Sequence, residues 1–378
     1  MRRALPLLFG LALLAGLWLL PDLAETPQVP DSGQDRTRAV VVDADAGTDA
    51  SGQPQLIVRL TEGERAGEEV TAVIQQTGMA LPGAEPPRYE AGDEVVVSVF
   101  TGAAGGFVTV DEPWRVPLLA WMAAGFAAAV MLVGGLRGAR SLVALAFTLL
   151  VVGKLLIPLL LAGWPPLPLA IGTAAGVTVV TLLLTEGARR TTLAAILGTA
   201  GALAVTALLA HLATEAARFS SLQGSEEVAF LVVLLGEEVD LRGMLLAATI
   251  LGALGVLDDV TVTQAAAVAE LRAGSPAATR GAVFARAMAI GRSHIAATVN
   301  TLVLAYVGAS LPLLLLFAVG ESSPLVAVNG ELLAVEVVRA LAGSIGIVAA
   351  VPLTTAIAAF LVEPSDAPGL EHPGPSLA

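Results

Sequence analysis

Two aspartates stand side by side in an otherwise apolar run, Gly255-Val256-Leu257-Asp258-Asp259-Val260-Thr261-Val262-Thr263-Gln264, and Gly291-Arg292-Ser293-His294 opens a second apolar run downstream. An ionisable side chain at membrane depth costs about 2.5 to 3.5 kcal/mol on insertion scales, so each calls for a partner or a task. A carboxylate offers a cation hard oxygen ligands, and imidazole, which titrates near neutral pH, suits a proton relay. At helical spacing Asp258 shares a face with Thr261, and Asp259 with Thr263. His294 is expected to meet the doublet across a helical hairpin, with Asn300 about two turns deeper. Lys154, four residues before Pro158, is a candidate charge partner from another span. Asp258, Asp259, Thr261, Thr263, Gln264, Arg292, His294, Asn300 and Lys154 thus form a candidate ion or proton pathway.

Two other arrangements fit the same residues. A helix broken near Gly255 would let an aspartate cap a new half-helix from Val260 to Arg272 and place helix ends around an ion. In the structural alternative, one carboxylate caps a helix and the other pairs with Arg292. A protease-like acid dyad is disfavoured, because neighbours on one helix point about 100° apart and such a dyad needs two facing carboxyls. The chain has no phosphate-cradling Walker loop, no His-Glu-x-x-His helix, no Gly-x-Ser-x-Gly elbow and no cysteine. ATP hydrolysis, zinc proteolysis, serine esterase and thiol chemistry therefore lack support, and neither an enzyme nor a cofactor is expected. The sequence leaves the identity of any metal open.

The elements that would hold these residues are greasy. With 56% hydrophobic and 14% charged residues, and a mean hydropathy of +0.80, the chain reads as a polytopic membrane protein whose solvent is the bilayer. Eight segments approach the roughly 20 apolar residues a spanning helix needs. They are Ala4 to Leu20, Pro117 to Leu136, Ser141 to Ala162, Leu167 to Thr185, Thr191 to Leu212, Leu241 to Val260, Ile295 to Phe317 and Leu332 to Val362. Arg2, Arg3, Arg137, Arg140, Arg189, Arg190, Arg272, Arg280, Arg286 and Arg292 fall on one side of these spans, which the positive-inside rule makes cytoplasmic. Both termini follow them there, in an inner (plasma) membrane. The first span is expected to be an uncleaved anchor, and Val228 to Leu235 to lie at the outer surface or re-enter the bilayer. Gly172-Thr173-Ala174-Ala175-Gly176 and Gly198-Thr199-Ala200-Gly201 are small-residue strings that let helices approach closely.

The net charge of −13 gathers largely between Asp22 and Glu112, which argues against a nucleic-acid partner. There, short β-branched runs separated by Gly, Asp and Pro predict five strands: Arg38 to Asp43, Gln55 to Leu60, Glu69 to Ile74, Glu94 to Phe100 and Phe107 to Val110. Together they suit a small closed barrel of OB-like kind. The expected layout is an anchor at 1–23, an extracytoplasmic β domain at 24–113, seven spanning helices at 114–362 and a disordered cytoplasmic tail at 363–378.

The strings Leu251-Gly252-Ala253-Leu254-Gly255-Val256-Leu257-Asp258-Asp259-Val260-Thr261-Val262-Thr263-Gln264 and Ala289-Ile290-Gly291-Arg292-Ser293-His294-Ile295-Ala296-Ala297-Thr298-Val299-Asn300 closely resemble the YibE/F-like family of bacterial membrane proteins. The resemblance implies a polytopic inner-membrane protein with a polar domain after its first helix, and no particular substrate. The functional expectation is a secondary transporter or permease for a small cation or proton. The alternative is an accessory subunit that recruits a protein partner, not identified by the sequence, through the β domain.

Overall fold

The computed structural model describes residues 5–21, 34–49, 52–63, 65–74, 88–100, 106–220, 240–319 and 323–364. The Val228 to Leu235 segment, the acids beside it and the tail beyond residue 364 lie outside them. The chain forms two compact units, Gln28–Ala129 and the remainder.

In the first unit, the period-two pattern becomes the inside and outside of a barrel. Strands β1 (Gln34–Asp43), β2 (Gln55–Leu60), β3 (Glu69–Ile74), β4 (Glu94–Phe100) and β5 (Phe107–Pro113) close in the order β1-β2-β3-β5-β4, with β4 pairing back to β1. All pairings are antiparallel except β3 with β5, where Ala72 lies opposite Val108. Closure leaves no strand edge free. Val58, Leu60, Val95, Val97 and Val110 point inward and are almost wholly buried, so the core is built from β-branched side chains that suit a pleated wall. All five expected strands are present, with β1 starting earlier and β5 running on to Pro113.

The second unit is helical. Its elements are α1 (Leu5–Trp18), α2 (Val116–Val151, entering from the first unit), a π-helical turn (Val152–Leu156), α3 (Ile157–Leu161), α4 (Pro166–Thr185), α5 (Arg190–Ala217), α6 (Leu241–Gly274), α7 (Arg280–Ala309), α8 (Leu311–Val319), α9 (Pro324–Asn329) and α10 (Glu331–Leu361). Among the described residues, five helical stretches are long and apolar enough to cross a bilayer, or six if the α7–α8 pair, bent by 63°, counts as one. That makes the chain a helical membrane protein.

The count differs from the expected eight for identifiable reasons. Helix α1 has only 14 residues, and the second and third expected spans run together as Val116–Leu161. Within that stretch Gly135 breaks the helical backbone at φ 54°, a left-handed conformation open to glycine at little cost. The chain turns so tightly there that a Cβ on Gly138 would strike the Val130 carbonyl. Further on, Pro158 lacks an N–H and its ring crowds the carbonyl of Lys154; the π-helical turn widens the helix at that point.

Small residues set the α5–α10 seam. A side chain on Gly198 would collide with Thr354, and one on Gly346 with Thr206, so glycine on each helix receives threonine from the other. Ala202, Ala350 and Ile347 fill the space between with almost no exposure.

Candidate functional site

Helix α6 carries the aspartate doublet without interruption from Leu241 to Gly274. Asp240 caps its start by accepting from the Gly243 N–H at 2.8 Å. The break considered at Gly255 does not occur: one glycine costs a helix about 1 kcal/mol, which burial of the flanking Leu254 and Leu257 outweighs. Because the helix runs on past Val260, Asp258 sits roughly 26 Å from its first residue, near its middle.

The hydroxyls around Asp258 come from two other helices and from α6 itself. The Thr178 hydroxyl on α4 donates to its carboxylate, at 3.2 Å to Oδ1. Thr199 Oγ1 is 2.7 Å from Thr261 Oγ1, and the Thr261 hydroxyl also donates to the Asp258 backbone carbonyl at 3.1 Å. All three threonines are at most 2% exposed, and Asp258 is half-buried. Hydroxyls from three helices thus gather at Asp258, one of them on its carboxylate. Most other threonines of the bundle return their hydroxyl to the carbonyl four residues back, as Thr206 does to Ala202 and Thr249 to Leu245.

The rest of the expected constellation is not assembled. Asp259 is exposed, turned about 100° from its neighbour, and Thr263 is exposed with it. Arg292 and Asn300 are also exposed, and neither aspartate forms an ion pair with Arg292 among the described residues. His294 makes no hydrogen bond to the doublet; its Nε2 is buried without a partner. Lys154 lies in the π-helical turn, and the observed donor to the Asp258 carboxylate is the Thr178 hydroxyl. The hairpin reading failed because sequence proximity of α6 and α7 says nothing about which face of α6 meets α7.

Gln264 shows which face does. Its Nε2 donates to the Ala287 carbonyl of α7 at 2.9 Å and to Thr355 Oγ1 of α10 at 2.7 Å. Gly291 must lack a side chain, because a Cβ there would strike Val351 and lie 3.0 Å from Gln264 Oε1. Gln264 therefore locks three helices together and stands apart from the acid. Arg272 has a similar role one level lower. It is 9% exposed and gives its guanidinium to the carbonyls of Ala278, at 2.9 Å, and Ala359, at 3.0 Å. Ala359 lies in the last turn of α10, where carbonyls lack helical partners and the dipole favours a cation.

With the threonine cluster located within the helical unit, its kinship can be stated. The family model of the YibE/F-like protein matches residues 122–364, which hold Asp258, Thr178, Thr199 and Thr261. The chain belongs to the YibE/F-like family. No curated protein and no solved structure matches it. The match leaves out the barrel strands and takes in every helix from the α2 region onward, so what defines the YibE/F-like chain is the bundle around the acid.

Sequence reasoning found Asp258 and Thr261 but missed Thr178 and Thr199 as its partners. Thr199 was visible only as part of a small-residue string, and no local pattern tells a packing threonine from one that serves a distant carboxylate. Among the described residues no three His, Asp or Glu side chains gather as metal ligands. The cluster offers one carboxylate and a short chain of hydroxyls, a set suited to passing a proton or holding a single positive charge.

Proposed function

We propose that this YibE/F-like protein is a secondary transporter or permease, with a cation or proton pathway that passes Asp258. One observation carries the reading: Asp258, near the middle of a long apolar helix, accepts from the Thr178 hydroxyl of α4 and forms no ion pair among the described residues. An acid used only as packing glue would be better served by a basic partner, since an ion pair at depth offsets part of the desolvation of both groups. The Thr178, Thr199 and Thr261 hydroxyls and the Asp258 carboxylate gather oxygen atoms in one place.

The accompanying topology has eight spans: α1, the two arms on either side of Gly135, α4, α5, α6, the bent α7–α8 pair and α10. The arginine distribution then puts both termini in the cytoplasm and the barrel outside an inner membrane. The strand order β1-β2-β3-β5-β4 with one parallel pair supports an OB-like barrel.

Flux of protons and alkali cations in proteoliposomes tests the reading. Asp258→Asn is expected to lower flux about tenfold or more, and Asp259→Asn to leave most of it. Equal flux from the Asp258 variant and wild type would remove this acid from the pathway.

The accessory role has its own support in the barrel, where Phe100 and Phe107 stack with centroids 4.5 Å apart and Phe107 is 56% exposed. A stoichiometric partner crosslinked through that pair, together with absent flux from the isolated chain, would favour it.

A further inference from the structure

Helix α7 carries polar side chains on the face it turns away from the bundle. Arg292, Ala296 and Asn300 follow at four-residue spacing, Ser293, Ala297 and Thr301 run beside them, and all six are exposed. Asn300 stands roughly 14 Å from the helix end at Ala309, in the apolar part of α7 beyond its last arginine, Arg292. The Thr301 hydroxyl donates to the Ala297 carbonyl of its own helix at 3.0 Å. The Asn300 amide has no such outlet: it makes no hydrogen bond among the described residues, and an amide left to hydrocarbon is costly.

Two charges border the same face. On α6, Asp258 turns to α4 and Thr261 to α5, whereas Gln264 meets α7 and α10. An exposed strip remains, in which Gly252, Gly255 and Asp259 follow three and four apart. A Cβ on Gly252 would lie 3.0 Å from the Tyr306 hydroxyl of α7, so the strip runs along the border with α7. The contacts of Gly252 with Tyr306 and of Gln264 with Ala287 set the register of the two antiparallel helices and put Asp259 level with α7 between Arg292 and Asn300. Helix α10 covers the other side of the hairpin, with Val351 at Gly291 and Thr355 at Gln264. Asp259 and Arg292 are therefore opposite charges on one outward flank, and neither forms an ion pair among the described residues.

Lipid tails answer none of these groups. A second copy of the chain answers all three, because an amide both donates and accepts, which makes Asn300 a partner for Asn300 across a two-fold axis. The same axis sets Arg292 of each copy toward Asp259 of the other. Small neighbours such as Ala296 and Ala297 let two helices come close enough for such bonds.

We propose that the α6–α7 flank is a self-complementary interface through which two copies of this chain form a dimer in the membrane, Asn300 bonding Asn300 and Arg292 pairing with Asp259 across the axis. The dimer stands whether or not Asp258 serves transport, and flux does not enter its test.

The chain has no cysteine, so single cysteines report the interface without background. In membranes treated with copper phenanthroline, Ala297→Cys is expected to form a disulfide-linked dimer, and Leu208→Cys, on an exposed part of α5, to stay monomeric. Should Ala297→Cys not accumulate, Ala296→Cys takes its place. Dimer affinity, read by energy transfer as protein in liposomes is diluted with lipid, is expected to fall about threefold or more in Asn300→Leu. Asp259→Arg and Arg292→Asp chains with different tags are expected to self-associate less than wild type and to co-purify with each other, because only the mixed dimer restores both pairs.

A cysteine on α7 that crosslinks no more than the one at position 208 overturns the proposal, as does an Asn300→Leu chain that dimerises like wild type. Charge-reversed chains with no preference for one another do so too. A crosslink to a different protein, with no dimer, likewise overturns it and makes the flank a contact with that protein instead.

Discussion

The barrel and the bundle solve the same problem, excluding voids, with opposite materials. Inside the barrel, β-branched side chains such as Val58, Val97 and Val110 fill the space and alternate with polar residues facing water. Between α5 and α10, the close contacts are glycine against threonine, and large apolar residues such as Leu197 and Leu208 are exposed on the outside. Water drives the first arrangement by the hydrophobic effect. Lipid gives no such drive between helices, so fit and hydrogen bonds decide the second. Buried polar side chains are few in the barrel, where Ser98 and Thr109 both bond Asp111, and an ordinary part of the bundle core, where Thr199, Thr206, Thr261 and Gln264 are all nearly inaccessible.

The two materials should fail in different ways. A charge breaks the barrel: Val97→Asp leaves a buried carboxylate without a partner and should cost upwards of ~3 kcal/mol, seen as proteolysis within residues 34–113 while helical circular dichroism persists. Volume breaks the bundle: Gly346→Leu drives a side chain into Thr206 and should cost about 1 to 3 kcal/mol or more, read as a lowered melting temperature in detergent. If Gly346→Leu melts like wild type, the close-fit account of the bundle is wrong.

Of comparable or smaller size is Gln264→Leu, which keeps volume but takes from the Ala287 carbonyl and the Thr355 hydroxyl oxygen the donor each now has. About 1 to 3 kcal/mol is expected on thermal unfolding. A gain in stability would show that polar contacts in this bundle do not hold it. At the small end is Arg59→Ala, which removes an exposed pair with Glu69 at 2.7 Å and should change barrel stability by ~0.5 kcal/mol or less.

One pH effect separates the units further. Burial raises the Tyr89 phenol above its ordinary value of 10.0. A group whose pKa rises on folding lends stability below its unfolded pKa and loses it as pH climbs, so the barrel should weaken above pH 10. Phenolate absorbance in a Tyr306→Phe background would follow it. A midpoint at or below the ordinary value contradicts that burial effect.

What the sequence disclosed follows the same division. Alternation in Gln55 to Leu60 and the valine run in Glu94 to Phe100 located the strands almost to the residue, because β-branched side chains suit a barrel wall. Apolar runs located the long helices as well. The second expected span ends at Leu136, next to the break at Gly135, but the true length of α6 was not legible, since nothing after Val260 marks an end. At the site, Asp258 declared itself by being acidic in a greasy run. Its partners did not, because Thr178 lies 80 residues away and resembles every other threonine that bonds its own helix. His294 and Arg292 were grouped with the acid on chain order, and facing directions decide otherwise.

The interlocked glycine and threonine pairs of α5 and α10 have a mechanical corollary. Sliding one helix past the other by a residue would set methyl against methyl, so these two travel as a single body. Gln264 adds α6 and α7 to that body through α10. Helix α4 joins the same core through Ala174 and Val177, and Thr178 is where that packed face adds a hydrogen bond, so the surroundings of the acid change only if a whole helix face parts with it.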